Sequence, residues 1–191
     1  RINPKVDSHF PKSEVRDHYQ VLANGGFPGL VLLSNQFFVS ELFYIIYVSA
    51  IAAVCADTWA TEIGNMINVK TYDIISFNII EQGMSGGVSI LGFVGAFLGL
   101  IVISLSALPW LNNNVLLIII TLSGMLACVF DSMLGSTIQC KFTCKVCKRI
   151  IEKKEHCGFP ANHSNGFKWL NNDGVNFATS IFGGLISMAF L

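Results

Sequence analysis

Apolar residues fall in long runs rather than in short alternations. This predicts membrane-crossing helices, because about 20 largely apolar residues are needed to cross the hydrocarbon core. Four or five runs qualify. Phe27 to Gln36, extending to Phe38, is short and interrupted by Pro28, Ser34 and Asn35. Phe43 to Ala60 is broken only near its end, by Asp57. Gly86 to Leu108 and Asn176 to Leu191 carry no charge, and Val115 to Thr137 carries Asp131 alone. Turns are placed near Asn35–Glu41 and Pro109–Asn114. The expected fold is an all-α membrane protein of about five transmembrane helices, built as two hairpins and a last helix. A single integral-membrane domain covers residues 1–191.

Composition agrees with this reading. The chain is 52% hydrophobic and 13% charged, against about 25% charge in an ordinary soluble domain. Formal net charge is zero, so nothing points to a nucleic-acid partner. All 12 Lys and Arg residues lie in three polar segments: Arg1 to Arg16, Lys70, and the stretch from Lys141 to Lys168. With five spans, every basic segment falls on one side, and the positive-inside rule makes that side cytoplasmic. Residues 138–171 then form a cytoplasmic, basic, Cys-rich loop. The polar stretch Arg1 to Gln20 has no apolar core of signal type. The chain opens on Arg1 rather than Met, so upstream helices are expected.

Five polar clusters mark the span ends. Asn24-Gly25-Gly26 opens the first run, and the stretch from Ala56 to Asn65 closes the second. The stretch from Ser85 to Ser89 opens the third, with Gly86-Gly87 inside it. The stretch from Phe130 to Ser136, continuing to Gln139, closes the fourth, and that from Asn171 to Asn176 opens the fifth. At about 100° per residue, Asp57, Thr58, Thr61, Glu62 and Asn65 share one helical arc, and Asp131, Ser132, Gly135, Ser136 and Gln139 repeat those offsets. A tandem repeat of two parallel hairpins follows, although small and polar residues also line ordinary helix interfaces in membranes.

Carboxylates within a membrane are costly and mark function. Asp57, Glu62, Asp131 and Asp173 can share Mg2+, a hard cation that takes carboxylates together with substrate phosphates. The competing reading pairs them with loop lysines or makes Asp173 a helix-start residue. Helix starts at Gly25-Gly26 and Gly86-Gly87 offer free N–H groups to phosphate oxygens, while Gly-Gly also serves as a turn or packing device. Asn24, Thr58, Asn65, Ser132, Gln139, Asn172 and Asn176 complete the candidate substrate-binding set. Cys144-x2-Cys147 with His156-Cys157 suits a structural Zn2+ site; the adjacent second pair is unusual, because neighbouring side chains rarely reach one metal together. Lys141, Lys145, Lys148 and Arg149 either steer an anionic nucleotide or serve as ordinary positive-inside residues.

These motifs resemble the family called domain of unknown function 92, which includes transmembrane protein 19 and a plant phytyl-phosphate kinase. The resemblance rests on Gln20 through Gly26, Ala56 through Gly64, Gly83 through Gly92, Asp131 through Gln139 and Trp169 through Phe177. It implies apolar segments upstream of the Gln20 block. It also implies a lipid kinase that converts an isoprenoid monophosphate into its diphosphate, with CTP or ATP as donor. On that reading Asp57 and Asp131 hold magnesium on the donor phosphates, and Glu62 and Asp173 support the metal or position the acceptor. Transmembrane protein 19 lacks the cysteine cluster, so zinc is not implied for the whole family. A transporter or channel for a cation or a phosphate-bearing solute is the alternative. Its site is expected near the midplane with access from both sides, whereas the carboxylates here gather near one interface. The bilayer is the expected partner in either case; the sequence leaves the oligomeric state open.

Overall fold

The computed structural model describes residues 17–111 and 113–191. Among these residues there are five α-helices: α1 (His18–Phe37), α2 (Glu41–Gly64), α3 (Ile90–Ala107), α4 (Val115–Thr137) and α5 (Asn172–Ile186). Short strands lie in the two long connections: β1 (Thr71–Asp73), β2 (Ile79–Ile80) and β3 (Gly87–Val88) between α2 and α3, and β4 (Lys141–Thr143), β5 (Ile150–Ile151), β6 (Glu155–His156), β7 (Phe159–Pro160) and β8 (Asn162–Asn165) between α4 and α5.

The expectation of five spans is corrected to three. Only α2, α3 with its following 3-10 turn to Trp110, and α4 are long and apolar enough to cross a membrane. The fifth run belongs to a helix, α5, of 15 residues followed by a 3-10 turn (Ser187–Phe190); its first turns carry Asn172, Asp173 and Asn176, and it is not among the helices long and apolar enough to cross. The first run fails on polarity. Its helix begins upstream, at His18, and includes Gln20, Asn24, Ser34, Asn35 and Gln36. The hairpin scheme built on five spans falls with that count.

Helix α2 is the centre of the bundle, and each of the other four helices packs on it. It presents small residues to them: Ala50, Ala52, Ala53 and Ala56 are each 0% exposed. Within lipid, helices associate through close van der Waals packing rather than hydrophobic exclusion, so small residues favour contact. At Gly95 of α3, a Cβ would stand 2.5 Å from the Trp59 carbonyl oxygen; only glycine permits that approach. Larger apolar residues point outward, including Phe97, Leu98, Val102 and Leu105 on α3 and Ile118, Leu122 and Leu126 on α4. Such a belt suits lipid. A Ser104–Thr121 hydroxyl pair, 2.9 Å apart, joins α3 to α4 inside it.

The two long connections share a pattern. Each follows a span with a three-stranded antiparallel sheet whose first strand is central, ordered β2-β1-β3 and β5-β4-β8. Each then enters a helix through a polar cap. The Ser89 hydroxyl accepts from the Gly92 N–H at 3.1 Å, and Asn171 Oδ1 accepts from the Gly174 N–H at 3.0 Å. The end of α2 is closed by Gln82, whose Nε2 donates to the carbonyls of Gly64 and Ile67 at 2.7 and 2.8 Å. These bonds satisfy groups that a helix end leaves unpaired.

Candidate functional site

One end of the bundle holds an open cavity of about 270 Å³. Gln20 and Asn24 reach it from α1, Asp57, Thr58, Thr61 and Glu62 from α2, and Asn172, Asp173 and Asn176 from α5. The connection after α4 supplies Gln139, Cys140, Phe142, Glu152, Lys154, Lys168 and Asn171. A smaller cavity of about 60 Å³ adjoins it through Asp57 and Thr61, and is lined also by Asn65, Gly86, Gly87, Asp131 and Ser132.

Most of the residues singled out in the sequence therefore meet, but in two groups. Asp57, Glu62 and Asp173 share the larger cavity, with Asn24, Thr58, Gln139, Asn172 and Asn176. Asp131 lies in the smaller one and is 6% exposed. Its Oδ2 accepts from the Thr179 hydroxyl at 2.9 Å. Asp57 lines both cavities, and its side chain makes no hydrogen bond or ion pair among the described residues. Gly25 and Gly26 line neither cavity. They sit inside α1, whose cap is Asp17, and so do not open a helix. Gly86-Gly87 lies before α3, across the turn into β3 rather than at the helix start. The basic residues Lys141, Lys145, Lys148 and Arg149 line neither cavity.

Two buried acceptors at the larger cavity have no partner: Gln139 Oε1 and Asn176 Oδ1. Gln139 is 1% exposed. A buried amide oxygen without a donor is costly, and both of these line a space that a ligand can fill. Desolvation, followed by the nearby Asp17 carboxylate, pushes the Asp173 carboxyl above the usual range. An opposite charge nearby would favour its ionised form.

The connections are fastened together beside this cavity at Ser85. Glu152 Oε1 accepts from the Ser85 N–H at 2.7 Å. Gln139 Nε2 donates to the Ser85 hydroxyl at 3.0 Å and to Glu152 Oε2 at 3.2 Å. Lys141 Nζ donates to the Ser85 carbonyl at 3.2 Å, and burial holds this ammonium below the usual lysine range. Sequence reasoning missed Glu152 altogether. It also read Lys154 and Lys168 only as loop charges. No periodicity marks these residues, because strand pairing rather than helical spacing brings them to the cavity.

Cys144, Cys147, His156 and Cys157 do converge: one ligand atom from each lies within 4.8 Å of the others. Such a cluster can chelate a metal ion. The first pair sits in the turn from β4 to β5, and the second ends β6. Adjacent His156 and Cys157 both reach the centre because the backbone is left-handed at Cys157 (φ 54°) and Gly158 (φ 77°). His156 Nδ1 lies 3.5 Å from the Cys147 sulfur and 3.2 Å from that of Cys157. The Cys147 N–H, with weaker opposing desolvation, lowers the Cys144 thiol to about 6, while desolvation and the neighbouring thiols push Cys157 up. Cys55 and Cys128 lie in α2 and α4, away from this cluster.

Apolar helices of spanning length, with their polar groups gathered at one end, define a multi-pass integral membrane protein. The chain belongs to the family of integral membrane proteins DUF92, whose model matches residues 3–184. It is 24% identical over 201 residues to Protein PGR of Arabidopsis thaliana, across 92% of this chain and 69% of that protein. It is 29% identical over 168 residues to the uncharacterized membrane protein MJ0933 of Methanocaldococcus jannaschii, across 88% and 59%. Over 161 residues it is 26% identical to the chloroplastic Protein VTE6 of A. thaliana, across 78% of this chain but 38% of that one. No solved structure matches.

Proposed function

We propose that this chain carries the site of a membrane-embedded kinase that converts a prenyl monophosphate, of phytyl type, into the diphosphate. The observation that carries the reading is the composition of the larger cavity. Carboxylates of Asp57, Glu62 and Asp173, unpartnered amide oxygens of Gln139 and Asn176, and two lysines line one open space at the end of a membrane bundle. Hard oxygen ligands suit magnesium, and magnesium neutralises the phosphates of CTP or ATP. The family resemblance to a phytyl-phosphate kinase points the same way.

In the reaction, an oxygen of the prenyl phosphate attacks the terminal phosphorus of the donor. A new P–O bond forms and the bond to the donor's bridging oxygen breaks, leaving a nucleoside diphosphate. Asp57 and Glu62 on α2 and Asp173 on α5 hold the metal. Asn24, Asn172 and Asn176 hold the acceptor phosphate or its hydration. Asp131, fixed by Thr179, supports Asp57 through the smaller cavity, with Ser132, Asn65 and the Gly86-Gly87 turn. At about 270 Å³ the cavity lies at the lower edge of ligand sites, about 300–1,000 Å³. It suits a phosphate head while the apolar tail stays among lipids and helices. The basic connection and its nucleotide face the cytoplasm. The Cys/His cluster takes Zn2+, because soft thiolates in a four-ligand set suit it, and its role is structural.

The test uses purified protein with labelled CTP or ATP, magnesium and a panel of prenyl monophosphates. Diphosphate formation is expected from wild type, with a fall of about a hundredfold or more in Asp57→Asn. Full activity in that variant would remove Asp57 from the site. No turnover by folded protein with any donor or acceptor would reject the kinase and leave transport, measured as solute uptake into proteoliposomes.

A further inference from the structure

Four carboxylates line the larger cavity, those of Asp57, Glu62, Glu152 and Asp173, against two ammonium groups, those of Lys154 and Lys168. Left to simple attraction, these lysines would pair with the acids. They do not: neither ammonium group makes a hydrogen bond or ion pair among the described residues. Two of the acids have other commitments. Glu152 accepts from Ser85 and Gln139, and Asp173 accepts from Asn171 at 3.4 Å. The two lysines come from separate parts of the connection, Lys154 beside β6 and Lys168 just before the α5 cap. They converge all the same. Both act on the Cys140 thiol, which burial raises and these two charges draw back down.

We propose that Lys154 and Lys168 form a polyphosphate subsite on the wall of the cavity built by the connection after α4. The balance of charge decides what such a subsite can take. A bare anion would meet more negative than positive charge. A free cation would satisfy the carboxylates and leave both lysines unused. A divalent-cation complex of a di- or triphosphate uses both: the cation goes to the carboxylates and the outer phosphate oxygens to the lysines, as charge-assisted hydrogen bonds. The Lys154 end of this wall is firmly placed, since its carbonyl accepts from the Ala161 N–H at 2.8 Å and two cluster residues, His156 and Cys157, follow it closely. The subsite rests on the kinase reading and assigns these lysines to its phosphate donor.

The probe is inorganic triphosphate with magnesium, titrated calorimetrically into the full chain in detergent. Lys154→Ala and Lys168→Ala are each expected to weaken binding by about tenfold or more, and Lys154→Arg to retain most of it. Lys145→Ala, on the same connection but outside the cavity, is expected to bind as wild type does. Folding is checked by elution profile and metal content. Wild-type affinity in a folded Lys154→Ala/Lys168→Ala double variant, or no binding to wild type, would overturn the subsite. Kinase assays separate it from the parent reading. Turnover by wild type with an unchanged nucleotide KM in the double variant would sink the subsite and leave the kinase standing. Triphosphate binding lost in the double variant, with no turnover by wild type, would support the subsite and sink the kinase.

Discussion

The connection after α2 and the connection after α4 begin alike and end differently. Both place a central first strand between two antiparallel neighbours, and both lead into a capped helix. The first, from Asn65 to Ser89, folds its Gly86-Gly87 turn tightly onto the end of α4. The second, from Ile138 to Asn171, carries an extra hairpin, β6–β7, between its outer strands. That hairpin and its approach hold Glu152, Lys154, His156 and Cys157. The shared sheet closes the end of the bundle; the insertion and its approach add Glu152 and Lys154 to the cavity wall and bring His156 and Cys157 to Cys144 and Cys147 of the β4–β5 turn. The insertion thus gives the second connection charged cavity-wall residues and the second half of a candidate metal-ligand set.

The largest expected effect separates the two connections. Metal affinity in small zinc domains amounts to folding energy on the order of 10 kcal/mol. If the Cys/His cluster holds zinc as proposed, chelation or Cys147→Ser is therefore expected to strip it and expose amides of residues 142–163 to hydrogen exchange. Residues 71–88 should remain protected, because Asp73 and the Gly86 turn hold them to α4. Nucleotide affinity should fall with the loss of order around Lys154. Uniform exposure of both segments would show that the links at Ser85 make one cooperative unit. Full protection after metal loss would show that the ligands do not organise the hairpin.

How far the sequence foretold this end of the molecule depends on the kind of signal. The cores of α2, α3 and α4 were legible because long apolar runs have few alternatives. The span count was not, because the first and last apolar runs belong to helices that begin with polar turns, at Gln20 and Asn24 in α1 and at Asn172 and Asp173 in α5, and an apolar run does not record where its helix begins. Helical spacing placed Asp57, Thr58 and Glu62 on one face, and the first cavity contains all three. The same logic grouped Asp131 with them, but packing sends it to Thr179 in the neighbouring space. The two Gly-Gly pairs looked equivalent in the sequence. In space one is the interior of α1 and the other a tight turn at positive φ, a difference set by partners distant in the chain. The doubtful His156-Cys157 pair converges through left-handed backbone, which composition does not signal.

That inequality between the glycine pairs gives the second test. Gly86 has φ +87°, and a Cβ there would lie 2.5 Å from the Ser136 nitrogen and 2.6 Å from its Cα. Both atoms are backbone and cannot move aside cheaply. Gly86→Ala is expected to destabilise the fold by about 3 kcal/mol and to loosen the first connection from α4. Gly25 has nothing within 4 Å of an added Cβ and lies inside a helix, so Gly25→Ala is expected to gain up to about 1 kcal/mol. Thermal midpoints of the two variants, moving in opposite directions, would confirm that only the Gly86 pair is a built contact. Equal shifts would erase the distinction.

The smallest effect concerns how the first connection is tied to α4 by hydrogen bonds. Asp73 Oδ2 accepts from the Ser136 hydroxyl at 2.7 Å, and its Oδ1 accepts from the N–H groups of Ile75 and Ser76 and from the Ser76 hydroxyl. Burial works to raise this carboxyl, but the bonds from Ser136, Ser76 and Ile75 outweigh it and hold it below the ordinary 3.8. A carboxylate whose folded value is depressed stabilises the fold above its unfolded value and loses that contribution as the pH falls through the folded one. The tie is therefore at full strength near neutrality and weakens on acidification below the ordinary carboxylate range. Ser136→Ala removes one of its bonds, costing about 1 kcal/mol and flattening the acid limb of the thermal midpoint. If that limb stays as steep in Ser136→Ala, the acid sensitivity belongs to other carboxylates. The first connection would then owe its hold on α4 to the close packing at Gly86 rather than to Asp73.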